Sequence, residues 1–373
     1  MVEDIQLIET QAALEAYCRQ LSKVSVFALD TEFMRIHTFY PKPGLFQIND
    51  GERIVLIDPL TIDDWQAFSA ILVDPNICKV LHACDEDIEL LVHFLKIEPQ
   101  NIFDTQFVAA LCGDDFSLSY QVLIKQLLDV DIEKDHRRSD WRKRPLSPEQ
   151  LHYAADDVRY LLPIYHLLKA KLEQQGKQAI MASHYQEIVA NLLSDDYSDA
   201  YHRVKEAWRL DAAQFARLKQ LAAWREQTMR KKNLPRNRIA TNEALMQLAT
   251  QQHWNSYQLF AVEGLSAPIV KGEGDAIIAM LAAIAPNGDY QQVMAKPHKD
   301  KLSAQIKKQL QLVAQQTGIH ESLLSKRNYN LVLKQQIEQS EAELSCVIQG
   351  WRKPFYQAAM DNICHEKNRQ VRA

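Results

Sequence analysis

The segment VFALDTEFMR (26–35) carries Asp30 and Glu32, two carboxylates one residue apart at the end of an apolar, strand-like run. In a strand, residues i and i+2 project from the same face, so both acids emerge together. Two bare carboxylates a few ångström apart repel, and one of them tends to keep a proton. A hard divalent cation removes that conflict, because it takes oxygen ligands readily. An isolated Asp-x-Glu can equally be one capping acid beside one solvated acid, so the pair needs support from elsewhere in the chain.

Two further acidic clusters supply it. VLHACDEDIELL (80–91) places Asp85, Glu86, Asp87 and Glu89 at the start of a helix that directly follows a strand. Acids in a first helical turn suit the helix dipole and cap it, which accounts for Asp85. Asp87, further along and beside the sheet end, is left over for chemistry. LSPEQLHYAADDVRYLLPIY (146–165) opens with a helix start made by Ser147, Pro148 and Gln150. Leu151, Ala154, Ala155, Val158, Leu161, Leu162 and Tyr165 then form one apolar stripe at steps of ~100°. Asp156 falls nearly opposite that stripe and reads as a solvated acid. Asp157 falls on its flank, one turn after Tyr153, where it can reach a site at the core's edge. Four acids and a tyrosine, with no Cys or His pair nearby, favour Mg²⁺ or Mn²⁺ over zinc. A pair of such ions is a common apparatus for phosphodiester cleavage.

These residues need a scaffold, and the hydrophobic pattern predicts one. Residues 24–30, 44–49 and 53–58 read as strands whose short gaps suit antiparallel neighbours. A helix (63–72), a strand (79–83), a helix (85–95) and a last strand (101–104) follow, giving a mixed sheet covered by helices. After about residue 205 no strand pattern survives. Helical stretches at 212–232, 243–252, 254–262 and 274–284 have bundle spacing. A Pro- and Gly-containing linker (285–300) leads to a second helical block.

The bulk composition agrees. A chain of 373 residues, 47% hydrophobic and 24% charged, is globular and long enough for two or three domains. No apolar run approaches the ~20 residues of a membrane span. The start, MVEDIQLIET, lacks a basic stretch followed by an apolar one, so no export signal is expected. Cys18, Cys78, Cys84, Cys112, Cys346 and Cys364 form no C-x-x-C pair, which predicts reduced, packed thiols in a cytoplasmic protein. The net charge of −5 is divided: residues 1–200 hold 18 Lys+Arg and 33 Asp+Glu, residues 201–373 hold 25 and 15. That asymmetry fits a metal-collecting half joined to a half that holds a polyanion.

LDTEF, LHACDEDIE and YAADDVRYLLPIY together resemble the DEDD superfamily of 3′→5′ exonucleases, and the Tyr-x-x-x-Asp spacing resembles its tyrosine branch. The resemblance covers about residues 1–200, without departure at the five motif positions. It implies a ribonuclease H-like α/β domain with a mixed five-stranded sheet. It also implies that Asp30, Glu32, Asp87 and Asp157 hold two divalent ions, Mg²⁺ or Mn²⁺, with Asp30 between them. Tyr153 would orient or help deprotonate the attacking water; a free tyrosine pKa of about 10 favours orientation. In the second half, LAAWREQTMRKKNLPRNRIATNEALMQLA (221–249) with GEGDAIIAML (272–281) resembles the all-α HRDC domain, matching at Trp224, Asn233, Pro235, Ile239, Leu245 and Gly274. QQHWNS lacks the proline that many members carry after the second helix. ESLLSKRNYNLVLKQ and QGWRKPFY resemble a second, divergent HRDC domain. The expected domains are therefore 1–200 (exonuclease), 207–286 (first HRDC) and 295–370 (second HRDC-like).

The implied activity is two-metal 3′→5′ exoribonucleolysis that releases 5′-mononucleotides from tRNA precursors and other structured RNAs with 3′ tails. The implied protein is a monomer with no obligatory protein partner. A DNA exonuclease of the same superfamily is the enzymatic alternative, weakened by the lack of any polymerase or helicase region. A binding module with a vestigial site is the third reading, and the five filled positions argue against it. Phosphate contacts are expected from KDHRRSDWRKR (134–144), through Arg137, Arg138, Arg142, Lys143 and Arg144. A solvated loop paired with nearby acids is the competing reading. A second set is Arg230, Lys231, Lys232, Arg236 and Arg238. Trp141 is expected to pack its loop down rather than stack on a base, and His82 to be a satisfied core histidine.

Overall fold

The structure is a computed structural model that describes residues 5–132, 139–285, 288, 290, 300–339, 344–345 and 347–372. It divides into two compact units, one made of Met1–Met34, Pro41–Leu192 and Asp300–Ala373, the other of Arg35–Tyr40 and Leu193–Lys299.

The first unit is built on a six-stranded sheet. In chain order its elements are β1 (Ile5–Ile8), α1 (Gln11–Leu21), β2 (Val26–Met34), β3 (Lys42–Asn49), β4 (Ile54–Ile57), α2 (Gln66–Leu72), β5 (Cys78–Leu81), α3 (Asp85–Leu90, continued by a π-turn over Leu91–Leu95) and β6 (Ile102–Asp104). The helices α4 (Thr105–Leu111), α5 (Tyr120–Leu128), α6 (Pro148–Arg159), α7 (Leu161–Gln174) and α8 (Gln178–Leu193) follow. The strand order is β1-β4-β3-β2-β5-β6, antiparallel for β2–β3 and β3–β4 and parallel for the other pairs. Five strands match the expected sheet. The sixth, β1, is a four-residue edge strand with only Ile8 buried, too short to show an alternating pattern. The central strand β3 is buried on both faces after its first residue, as a strand covered on both sides must be.

The region read as one helix over 146–165 is two. α6 stops at Arg159 and α7 starts at Leu161. Pro163 explains the break: its ring would clash with the carbonyl of Arg159, four residues back, in a continuous helix. In the first turn of α7 its missing N–H costs nothing.

The second unit is helical: α9 (Ala212–Lys232), α10 (Asn242–Ala249), α11 (Ser256–Phe260) and α12 (Ala267–Ala282). Asp211 and Gln214 form a capping box at the start of α9. Asn233 ends it in the left-handed conformation, φ +50°, that asparagine tolerates better than most residues. Ile239 and Leu245 lie fully in this core.

The chain ends with α13 (Lys301–Thr317), α14 (Glu321–Leu324), α15 (Arg327–Gln339) and α16 (Lys353–Arg372). This block has a small core of its own, around Leu310, Leu333 and Tyr356. Its other face merges with the exonuclease core through Val313, Leu324 and Trp351. Lys177 ties it down by donating to the carbonyls of Leu111 (2.7 Å) and Gly318 (2.8 Å). The sequence set 295–370 apart; in the structure Asp300–Ala373 shares a compact unit with the sheet.

Candidate active site

One carboxylate oxygen each from Asp30, Glu32 and Asp157 lies within 4.8 Å of the others. Asp30 and Glu32 stand on one face of β2, as their i, i+2 spacing requires. Asp157 reaches them because α6 is fixed at both ends. Ser147 accepts from the Gln150 N–H while the Gln150 side chain accepts from the Ser147 N–H. At the other end Asn49 of β3 donates to the carbonyls of Val158 (3.2 Å) and Arg159 (3.3 Å). The stripe residues Ala154, Ala155 and Val158 are fully buried. Asp156, as expected, faces outward, 47% exposed and paired with Arg159 at 2.7 Å.

The site is electrostatically loaded. Burial, then the charges of Asp87, Asp157 and Glu32, push the Asp30 carboxyl well above the usual carboxylate range. Burial with the charges of Asp157 and Asp87 pushes Glu32 up to about 9. Acids this strained are stable as anions only beside a compensating cation. The donor set is all oxygen, which fits Mg²⁺ or Mn²⁺.

Asp87 is buried beside this group, close enough to raise Asp30 and Glu32, but stands outside the three mutually close oxygens. Its Oδ1 accepts a hydrogen bond from the Thr31 hydroxyl. Thr31 lies between the two acids and projects from the other face of β2, so it reaches α3 while they face α6. Burial is the main cause that pushes Asp87 up to about 7, opposed by the Thr31 bond. Asp104, at the end of β6, orders the loop before α3. It accepts from Ala83 N (2.9 Å) and Cys84 N (3.1 Å) and caps α4 through Gln106 N (2.7 Å). Sequence reasoning missed Thr31 and Asp104, although the NIFDT pattern at a strand–helix junction is a legible cap signal.

Tyr153 lies one helical turn before Asp157. Its ring packs on that of Trp141, centroids 5.9 Å apart. Trp141 is 2% exposed and holds its loop down, as expected. His82 is satisfied too, with Nδ1 at 2.9 Å from Thr105 Oγ1 and Nε2 at 3.1 Å from the Leu118 carbonyl.

The basic residues divide. Arg137 and Arg138 lie outside the described residues. Arg142 donates to the Pro43 carbonyl at 2.6 Å. Arg144 pairs with buried Asp58 (Nη2–Oδ1 2.6 Å) and donates to Trp141 O and Gly44 O, both 2.8 Å. Lys143 is exposed. In the second unit, Glu226 is 1% exposed and pairs with Arg203 (2.9 Å), Arg230 (3.0 Å) and Arg236 (3.2 Å). Lys232 pairs with Glu273 at 3.1 Å. Lys231 and Arg238 are exposed. Arg230 and Arg236 thus share the carboxylate of Glu226, a contact their positions between helices did not reveal.

Comparison with known proteins places this geometry. The 3′-5′ exonuclease family model matches residues 5–173 and the HRDC model residues 214–281. Ribonuclease D of Pseudomonas paraeruginosa is 38% identical over 358 residues, covering 94% of this chain and 95% of its own. The chain belongs to the ribonuclease D family. The family member of Escherichia coli is 34% identical over 376 residues, covering 97% of this chain and 98% of its own. The crystal structure of E. coli RNase D, described as an exoribonuclease involved in structured RNA processing, superposes with a TM-score of 0.81 at 32% identity. It covers 97% of this chain and 99% of that one. The protein is a 3′→5′ exoribonuclease that acts on RNA with divalent metal ions. Among the described residues no helix is long and apolar enough to cross a membrane.

Proposed function

We propose that this exoribonuclease trims the 3′ tails of tRNA precursors and other structured RNAs, releasing 5′-mononucleotides, in the cytoplasm and as a monomer. The observation that carries the reading is the convergence of Asp30, Glu32 and Asp157, with Asp87 beside them, on a family scaffold that cleaves from 3′ ends. Asp30, Glu32, Asp87 and Asp157 are assigned as the residues that would hold two divalent ions, Mg²⁺ or Mn²⁺. When bound, such ions activate water and stabilise the attacking and leaving oxygens of an in-line displacement. The chain's own contribution is to fix those carboxylates, Asp87 buried and the other three half-buried, before substrate arrives. Tyr153, held by Trp141, orients the attacking water with its hydroxyl.

Lys143, Lys231 and Arg238 are the assigned phosphate contacts, because they are exposed and their charge is not engaged by the networks that hold Arg144, Arg230 and Arg236. Residues 295–370 are assigned as a second, diverged HRDC domain on the strength of their own helical core.

Incubation with a 3′-extended tRNA and with single-stranded DNA of similar length tests the reading. The expected result is stepwise shortening of the RNA from its 3′ end with Mg²⁺ or Mn²⁺, lost in chelator. Asp30→Asn should reduce the rate by roughly 10²–10³-fold. Preferential shortening of DNA, or full activity in Asp30→Asn, would overturn it.

A further inference from the structure

Gln47 sits in the middle of β3, fully buried, and neither its amide nitrogen nor its amide oxygen has a hydrogen-bond partner among the described residues. A buried amide with both ends unmatched is costly, and native interiors rarely keep one. A leucine or methionine would fill the same space at no such cost. Gln47 interrupts an otherwise apolar run, GLFQI. The fold therefore does not account for it.

Its position does. In the β2–β3 ladder Gln47 is the direct cross-strand partner of Asp30. Directly opposed residues project from the same face, with Cβ atoms about 5 Å apart. A Gln side chain is long enough to span that gap to the carboxylate. The face is the one α6 covers: Ala28 and Leu45, which flank the pair along the strands, share a cluster with Ala154, Ala155 and Val158. Asn49, two residues on along β3 and on the same face, already holds the end of α6. Leu45, Gln47 and Asn49 thus form one row under the helix that carries Tyr153 and Asp157, and only the middle amide is idle.

We infer that Gln47 is a positioning residue for the metal-binding carboxylates, its amide N–H placed to donate to the Asp30 carboxylate across the β2–β3 ladder. The inference rests on the metal-site reading above. A ligating carboxylate has more oxygen lone pairs than one metal bond uses, and a fixed donor on the spare ones sets its orientation. A donor role toward Asp30 gives the sequence a reason to keep a polar group in this apolar row.

Gln47→Met, close in length and volume, is the test, with Gln47→Leu beside it. Mn²⁺ binding is measured by calorimetry, kcat and KM on a 3′-tailed RNA, and Tm in chelator. Loss of the donor should weaken Mn²⁺ binding and lower kcat, each by about 10–100-fold, with KM little changed. Tm in chelator should be no lower than in the unsubstituted protein. Mn²⁺ affinity and kcat unchanged in either folded variant would overturn the inference. A fall in chelator Tm for both would make Gln47 a packing residue and overturn it as well. If the unsubstituted protein bound no Mn²⁺, the site reading would fall and this inference with it; binding that survives Gln47→Met removes only the latter.

Discussion

Asp30 and Glu32 are tolerable neighbours only when something neutralises them. Without metal, protons do so, and this gives stability a pH dependence of definite sign. Glu32 has its pKa raised, to about 9, by burial and then by Asp157 and Asp87. A group with a raised folded pKa stabilises the fold fully below its ordinary range, about 4.3 for Glu, and loses that contribution as pH rises through the folded value. Tm in chelator should therefore fall progressively from about pH 5 to about pH 9. Saturating Mg²⁺ should remove most of the fall, because metal binding displaces the protons. Glu32→Gln should flatten the chelator curve; curves that stay parallel for the two proteins would sink the assignment. Much of this chemistry was legible from residue types, because same-face spacing on a strand and angular spacing on a helix are local rules. The side-chain bond between Thr31 and Asp87 was not, since it depends on how α3 docks on the far face of β2.

At the scale of elements, the site depends on how closely backbone can approach backbone. Gly44 on β3 shows it. A Cβ there would lie 2.6 Å from Trp141 Cβ, 3.0 Å from the Trp141 carbonyl oxygen and 3.1 Å from that of Glu32. None of these is the far end of a flexible side chain, so Gly44→Ala must push the Trp141 loop away. Arg144 and Arg142, which bond Gly44 O and Pro43 O, would be dragged with it. Such overpacking costs about 1–3 kcal/mol. Because Trp141 backs Tyr153, the fall in kcat at a temperature where the variant is folded should be about tenfold or more. Urea unfolding with kcat measurements checks both. Unchanged kcat in a destabilised variant would show that Trp141 does not position Tyr153. Sequence periodicity located β2 to β6 and the start of α6 because their patterns are long or capped. It lost β1, whose four residues carry one buried side chain, and it ran α6 into α7 although Pro163 stood in plain view. The merging of α13–α16 with the exonuclease core was invisible because a helix's apolar stripe does not name its partner.

For the molecule as a whole, the acidic first half and basic second half should make RNA binding depend on salt. A protein that neutralises phosphates releases counterions, so log K falls linearly with log salt. The second half carries 25 Lys+Arg against 15 Asp+Glu, yet not every cation is available. Buried Glu226 draws Arg203, Arg230 and Arg236 into one network, and Arg230 also lies over the rings of Phe39 (4.9 Å) and Tyr197 (4.6 Å). Arg230→Ala removes one of the three partners of buried Glu226 together with its packing on two rings, so it should act mainly on the stability of the second unit, by about 1–3 kcal/mol. Lys231 and Arg238, exposed beside that network, should act on RNA instead. The double variant Lys231→Ala/Arg238→Ala should weaken binding similarly across RNA sequences and reduce the salt slope by ~2, about one for each phosphate no longer neutralised. Its Tm should stay within about 1 °C, since surface substitutions of this kind usually change stability little. Titrations of a 3′-tailed RNA at several salt concentrations, with Tm for each variant, separate the two roles. A salt slope that drops for Arg230→Ala and stays constant for the double variant would reverse the assignment, making the Glu226 network the RNA-facing one.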